Sequence, residues 1–134
     1  MKKDPIKTQA NVILGVLIIQ YLFGMFVNLF VQFPDTQKEG VLWEFAKNQW
    51  PLVIHMIIGG LMVIGGIVFL IRTIRRKEKQ LIIAASVGLA AILIAAFAGA
   101  QFVSTQADGY SYTMAVAFII AVVSYGWVLY LTKN

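Results

Sequence analysis

Four long stretches of this chain contain no Asp, Glu, Lys or Arg. They cover residues 11–34, 50–71, 80–107 and 109–132. At about 1.5 Å of rise per helical residue, each is long enough to cross the roughly 30 Å hydrocarbon layer of a bilayer. Backbone N–H and C=O groups find no water partner in lipid, so each stretch must satisfy its own hydrogen bonds as an α-helix.

The sequence therefore predicts an all-α protein, a single integral membrane four-helix bundle within residues 1–134. The expected helices cover residues of about 11–33, 50–72, 80–104 and 111–132. Composition supports this prediction, because 60% of the residues are apolar and only 13% are charged, unlike ordinary soluble domains. The first apolar run exceeds a signal-peptide core and lacks a small-residue cleavage site, so it is expected to remain in the mature protein.

The net charge of +5 comes from basic residues that lie where the predicted helices end. They are Lys2, Lys3 and Lys7 before the first helix, Arg72, Arg75, Arg76, Lys77 and Lys79 after the second, and Lys133 after the fourth. By the positive-inside rule, both termini and the connection between the second and third helices are expected to be cytoplasmic. This distribution indicates an anchor for anionic lipid headgroups and argues against nucleic acid as a partner.

Two further patterns concern packing. Small residues form stripes in two helices: Gly59, Gly60, Gly65 and Gly66 in the second, and Ala84, Gly88, Ala91, Ala95 and Ala98 in the third. Such stripes let backbones approach closely, so these two helices are expected to be neighbours. Between the first and second helices, residues 41–47 are expected to form a short amphipathic turn on the outer surface, with Trp43 and Phe45 as anchors.

His55 is the only histidine of the chain and the residue that most indicates a function. It lies about one turn inside the expected outer end of the second helix. Steps of four, three and four residues lead from it to Gly59, Met62 and Gly66, so the imidazole should point into the bundle. An ionisable group inside a membrane indicates a functional site, because an unpaired one is unfavourable there. The alternative is a neutral histidine that hydrogen-bonds a neighbouring helix.

Other polar or sulfur-containing side chains are expected at a similar depth. They are Met25, Asn28 and Gln32 in the first helix, Gln101 and Ser104 in the third, and Met114 in the fourth. Amides that hydrogen-bond across helices explain this layer as a structural feature. The functional interpretation is a pocket open to the outer face, with His55 as a metal ligand and Met25 or Met114 as a second ligand. Gly59 then clears space for a flat cofactor. Gln20 lies nearer mid-membrane, outside this layer.

The order of these features resembles one four-helix half of the haem A synthase family. The first similar features are a first helix with amides and glycines, an outer loop that ends in Trp50, and a histidine, His55, just inside the second helix. The basic connection, the end of the third helix (residues 96–101) and the start of the fourth (residues 114–118) are also similar. In that family each half carries a histidine on its second and fourth helices, with haem between them. Here Ala117 occupies the fourth-helix position and the family's loop cysteines are absent. The resemblance implies a haem site with one histidine, without the family's oxidative chemistry.

The chain also resembles small uncharacterised four-helix bacterial membrane proteins. Residues 24–29 (Gly-Met-Phe-Val-Asn-Leu) and 55–59 (His-Met-Ile-Ile-Gly) carry this second resemblance. It implies a multi-pass protein of the bacterial cytoplasmic membrane and no assigned activity.

Three classes of function follow. The first is haem handling or respiratory-chain support, with haem b bound by His55 and lined by Gly59, Asn28 and Gln101. The second is a non-catalytic accessory or assembly protein of a larger membrane complex. The third is a small transporter formed by a homo-oligomer, although no charged residue lies within a span to couple ion movement. Binding is expected over catalysis, because His55 has no carboxylate in its membrane layer.

Overall fold

The computed structural model describes residues 4–36 and 38–133. These residues form five helices and no strand: α1 Pro5–Phe30, α2 Glu39–Asn48, α3 Trp50–Arg76, α4 Lys79–Thr105 and α5 Asp108–Leu131. Four of them, α1, α3, α4 and α5, are long and apolar enough to cross a membrane. The prediction of an all-α protein with four such helices is confirmed. Lys2 and Lys3, two of the basic residues that precede the first helix, lie outside the described residues.

The long helices extend past the charge-free stretches at the basic end. α1 begins at Pro5, well before the predicted residue 11, because the Asp4 carboxylate accepts a hydrogen bond from the Ile6 backbone N–H at 2.9 Å. Proline suits the first helical position, where a backbone donor is not needed. α3 continues past residue 72 to Arg76 and ends at Lys77, whose φ of 58° is left-handed. The helix ends therefore carry the charges, which a membrane core would exclude.

Consecutive long helices are antiparallel neighbours, joined by two-residue connections except between α1 and α3, where residues 31–49 include α2. α1 packs on α3, α3 on α4, α4 on α5, and α5 returns to α1, with the largest interface between α4 and α5. One end of the bundle, here called the termini end, holds Pro5, Arg76 and Leu131. The other, called the loop end, holds Phe30 and Trp50. Because the number of long helices is even, the first and last of them start and finish at the same end.

Gly66 and Gly88, from the small-residue stripes of α3 and α4, accommodate the ring of Tyr125 as well as the close approach of the two helices. Tyr125 of α5 is fully buried. A Cβ atom on Gly88 would lie 2.8 Å from Tyr125 Cε2, and one on Gly66 would lie 3.3 Å from its hydroxyl oxygen. Phe69 holds the same ring edge-to-face, with the two centroids 5.4 Å apart. The expected contact between α3 and α4 is present, and the Tyr125 ring lies between their two glycines.

The amphipathic segment expected after the first long helix is α2, which lies across the loop end against α4 and α3. The Trp43 indole N–H donates to the Ser104 hydroxyl at 3.0 Å, and that hydroxyl donates to the Glu39 carboxylate at 2.9 Å. Phe45 packs on Phe33, with ring centroids 5.3 Å apart. Both expected anchors therefore contact the protein itself, and Ser104 attaches α2 to α4.

Replacing Ser104 with alanine is expected to loosen α2. The substitution removes two hydrogen bonds that together contribute about 1–3 kcal/mol and leaves the half-buried Trp43 indole without its partner. Hydrogen exchange in detergent should become faster for amides in residues 39–48, while α4 and α5 keep their protection. Ser86→Ala, on an exposed face of α4, is the matched control. Unchanged exchange in α2 would show that this hydroxyl does not hold it.

Candidate functional site

His55 lies on the seam between α1 and α3, in the half of the bundle nearer the loop end. Each helix has one inward-facing stripe in alternating steps of three and four residues, and the part of the α3 stripe nearer the termini end also packs on α5, as Phe69 does on Tyr125. The α1 stripe is Ile6, Ala10, Ile13, Leu17, Gln20, Gly24 and Val27, and the α3 stripe is His55, Gly59, Met62, Gly66, Phe69 and Thr73. Most of these residues are buried, and His55 is half-buried at the end of its stripe.

Gln20 is the polar partner of His55. Its side-chain nitrogen donates to the backbone carbonyl oxygen of His55 at 2.9 Å and lies 3.3 Å from the imidazole Nε2. Because an amide nitrogen donates and does not accept, this network assigns Nε2 as the acceptor of a neutral imidazole. The ring proton is then on Nδ1.

Two glycines clear the space that this pair occupies. A Cβ atom on Gly24 would lie 3.1 Å from His55 Cε1, and one on Gly59 would lie 3.2 Å from the Gln20 side-chain nitrogen. A larger residue at either position would be in steric conflict with the side chain of His55 or of Gln20. The space expected beside Gly59 for a flat cofactor is therefore taken by the Gln20 amide. Gln20, Gly24, His55 and Gly59 are called the His55 cluster below.

Two buried atoms of the His55 cluster have no hydrogen-bond partner among the described residues. They are His55 Nδ1 and the side-chain oxygen of Gln20. With the ring proton on Nδ1, the first is a donor and the second an acceptor. Buried unpaired polar groups are uncommon and cost about 1–3 kcal/mol each. The cluster is therefore polar and incomplete as the protein alone builds it.

The other predicted site residues do not join the His55 cluster. Met25 and Asn28 are exposed on α1. Met114 packs between α4 and α5, where its sulfur lies 3.3 Å from the place of a Gly99 Cβ. Gln101 is half-buried on α4. The polar layer expected at one depth does not form a single cluster, because residues at equal depth on a helix face different neighbours.

Sequence reasoning missed Gln20 and Gly24 as members of the site. Depth along the helix placed Gln20 outside the expected layer, since it lies further from the end of α1 than Asn28. The signal was the register: Leu17, Gln20, Gly24 and Val27 follow the same steps of three and four as the apolar stripe. A polar residue at such a position must face another helix.

The cluster does not resemble a site for a bare metal ion. The described residues contain no group of three or more His, Cys, Asp or Glu side chains that could hold a metal. A haem differs in this respect, because its macrocycle surrounds the iron and the protein adds one or two axial side chains. A single histidine is compatible with that chemistry.

No protein-family model, curated protein or solved structure matches this chain. The geometry of the His55 cluster is therefore the basis on which a function can be proposed.

Proposed function

We propose that this chain is a multi-pass membrane protein that binds haem b through His55, at the loop end of the seam between α1 and α3. Its role would be haem handling or respiratory-chain support. The observation that carries the proposal is the buried Nδ1 of His55, which has no partner within residues 4–36 and 38–133. Nε2 already faces Gln20, so Nδ1 is the nitrogen that remains for a ligand.

The proton arithmetic of the His55 cluster supports this assignment. A ligating nitrogen must lose its proton, so coordination through Nδ1 moves the imidazole proton to Nε2. Nε2 then becomes a donor and faces the Gln20 side-chain nitrogen, which is also a donor. The Gln20 amide would have to turn over, so that its unpaired oxygen accepts from Nε2 and its hydrogen bond to the His55 backbone carbonyl is given up. Histidines that ligate metals commonly donate their second N–H to such an oxygen.

The loop end of α1 offers the apolar surface that a macrocycle needs. In the last third of α1 only Val27 is buried. The exposed large apolar residues there are Tyr21, Leu22, Met25, Phe26, Leu29 and Phe30. Because α1 and α3 pack closely at Gly24, where a Cβ atom would lie 3.1 Å from His55 Cε1, the two helices must part locally to admit a haem. Gly24 of α1 and Gly59 of α3 have no side chains that would interdigitate and hold the two helices together at this point.

Met25 is better placed than Met114 as a second axial ligand. It follows Gly24, the α1 residue that packs opposite the His55 ring, whereas Met114 is packed between α4 and α5. Ala117 is buried in α5 and provides no ligand. The second axial position is then filled by Met25, by His55 of another copy, or by neither. A position left open would suit transfer of haem better than electron transfer.

The membrane orientation is part of the same proposal. The termini end carries the described basic residues Lys7, Arg72, Arg75, Arg76, Lys77, Lys79 and Lys133, which support a cytoplasmic location for that end by the positive-inside rule. The His55 cluster would then lie in the outer leaflet of a bacterial cytoplasmic membrane.

Haem titration of the full chain in detergent tests the proposal. The wild-type protein is expected to give a Soret band that saturates at one haem per chain, and His55→Ala is expected to lose it. Gln20→Leu should keep the band with affinity reduced about 10- to 100-fold, because it removes the group beside the ligating ring. Met25→Leu should change the spin state where Met25 fills the second axial position and leave it unchanged where it does not, with Met114→Leu as the matched control. An equal Soret band in His55→Ala would overturn the assignment.

Asn28 favours a second function, that of an accessory or assembly protein. Its amide is exposed on the apolar surface of α1 near the loop end, where a hydrogen bond to another helix would stabilise association. The partner would be a larger membrane complex or another copy of the chain. A colourless protein whose oligomer or partner is lost in Asn28→Leu would support this function in place of haem binding. A small transporter has less support, because the charge-free stretches of the four spans hold one histidine and no Asp, Glu, Lys or Arg.

A further inference from the structure

A second polar feature lies at the opposite end of the α1–α3 seam. A cavity of about 530 Å³ opens at the termini end, lined by Asp4, Pro5, Ile6, Arg72, Arg75 and Arg76. Three guanidinium groups and one carboxylate thus surround a space between two membrane-spanning helices. This feature is independent of the His55 cluster and of the proposed haem.

The charges around the cavity are only partly balanced. Arg76 donates to the Asp4 carboxylate at 2.7 Å and also pairs with Glu78. Partial burial alone would raise the pKa of Asp4, but the hydrogen bond and charge of Arg76 and the Ile6 backbone N–H hold it below its ordinary value. Asp4 therefore stays ionised at neutral pH, and Arg76 is neutralised within the protein.

Among the described residues, no carboxylate forms a salt bridge with either of the other two arginines, Arg72 and Arg75. Arg72 donates to the neutral side-chain oxygen of Gln9 at 2.8 Å, which positions its guanidinium without balancing it. Arg75 is exposed beside the cavity. Two positive charges therefore face one space, and the planar guanidinium fork matches the oxygens of a phosphate group.

The apolar surface of α3 continues from the cavity toward the middle of the span. Ile67, Val68, Ile71 and Ile74 are all exposed on α3. A ligand with a charged head in the cavity and apolar chains along this surface would satisfy both features. A free anion would contact only the arginines.

We infer that the cavity between Arg72 and Arg75 binds the phosphate headgroup of an anionic glycerophospholipid, whose acyl chains lie along the exposed face of α3. The two arginines contact the phosphate oxygens, and Gln9 orients Arg72. The Asp4–Arg76 pair closes the side of the cavity next to α1. Basic pockets between membrane helices bind such headgroups in this way.

Native mass spectrometry of the full chain with added lipid tests the inference. Phosphatidylglycerol is expected to bind in preference to phosphatidylcholine. Arg72→Gln/Arg75→Gln should weaken that binding by about 30-fold, because two charges at about 1 kcal/mol each amount to about 2 kcal/mol. Lys77→Gln/Lys79→Gln removes the same charge from the same connection without touching the cavity. It should weaken binding by less than about threefold, because only diffuse attraction is lost.

Three outcomes would overturn the inference. Equal losses in the two double variants would mean diffuse attraction to the basic end. Displacement of phosphatidylglycerol by millimolar inorganic phosphate would mean a site for a free anion. Equal binding of phosphatidylcholine would mean that the acyl chains alone are recognised. Arg75→Gln alone leaves the Arg72–Gln9 hydrogen bond in place, so it gives a measurement on an intact fold if the double variant is unstable.

Discussion

Replacing Gly88 with valine is expected to lower the free energy of unfolding by about 3 kcal/mol, the upper range for an overpacked core position. A Cβ atom at this position would lie 2.8 Å from Tyr125 Cε2 and 3.0 Å from its Cζ. The ring cannot withdraw easily, because Tyr125 is fully buried and packs edge-to-face on Phe69. Either the ring moves or α4 separates from α5. Equilibrium unfolding in mixed micelles measures the change.

Two variants make this prediction specific. Gly60→Val places the same side chain on an open face of α3, where no atom lies within 4 Å of the new Cβ, and it should change stability little. Tyr125→Leu combined with Gly88→Val should recover part of the loss, because residues in contact are not additive. If Gly88→Val and Gly60→Val destabilised the protein equally, packing of the Tyr125 ring against Gly66 and Gly88 would not explain why glycine occupies these two positions.

Replacing His55 with leucine is expected to leave the haem-free protein at least as stable as the wild type, and to raise its unfolding free energy by about 1 kcal/mol. The substitution removes a buried Nδ1 that has no partner, which itself costs about 1–3 kcal/mol. The Gln20 side-chain nitrogen still donates to the backbone carbonyl of residue 55. Binding residues are commonly retained at such a cost to stability. Thermal unfolding of the haem-free protein in detergent measures this.

Gln20→Leu is the companion variant for this second prediction. It removes the donor to the His55 backbone carbonyl and leaves the imidazole Nε2 unpaired, so it should destabilise the haem-free protein by about 1 kcal/mol. Opposite signs for the two variants would mark His55 as a binding residue. A loss of 1 kcal/mol or more in His55→Leu would instead mark the histidine as a structural hydrogen-bonding group.

The membrane-compatible helices could be predicted from charge alone, because a span excludes ionised side chains over its whole apolar length. Their true ends could not, since the helices continue into the basic segments until a cap or a left-handed residue stops them, as Asp4 and Lys77 do. The sequence also indicated the amphipathic segment that became α2. Its anchoring to Ser104 depends on how α4 ends, which local patterns do not contain.

The side of α3 on which His55 lies could be predicted from the sequence, and the residues that it meets could not. His55 stood out as the only histidine, and its register correctly placed it on the stripe with Gly59 and Met62. Which residues it meets depends on which helix lies opposite, and the sequence of one helix does not encode that choice. The polar neighbour of His55 is therefore Gln20, whereas the sequence predicted Asn28 and Gln101. The glycine stripes likewise became interpretable only once Tyr125 was placed.

The most direct test of the central claim is the shift of the unfolding temperature on adding haem to wild-type protein and to His55→Leu. A ligand that binds only the folded state, at 100 times its dissociation constant, stabilises it by about 2.7 kcal/mol. The proposal predicts a clear rise for the wild type and none for His55→Leu, although the variant begins at an equal or higher temperature. An equal rise in both proteins, or a rise in neither, would contradict haem binding by His55.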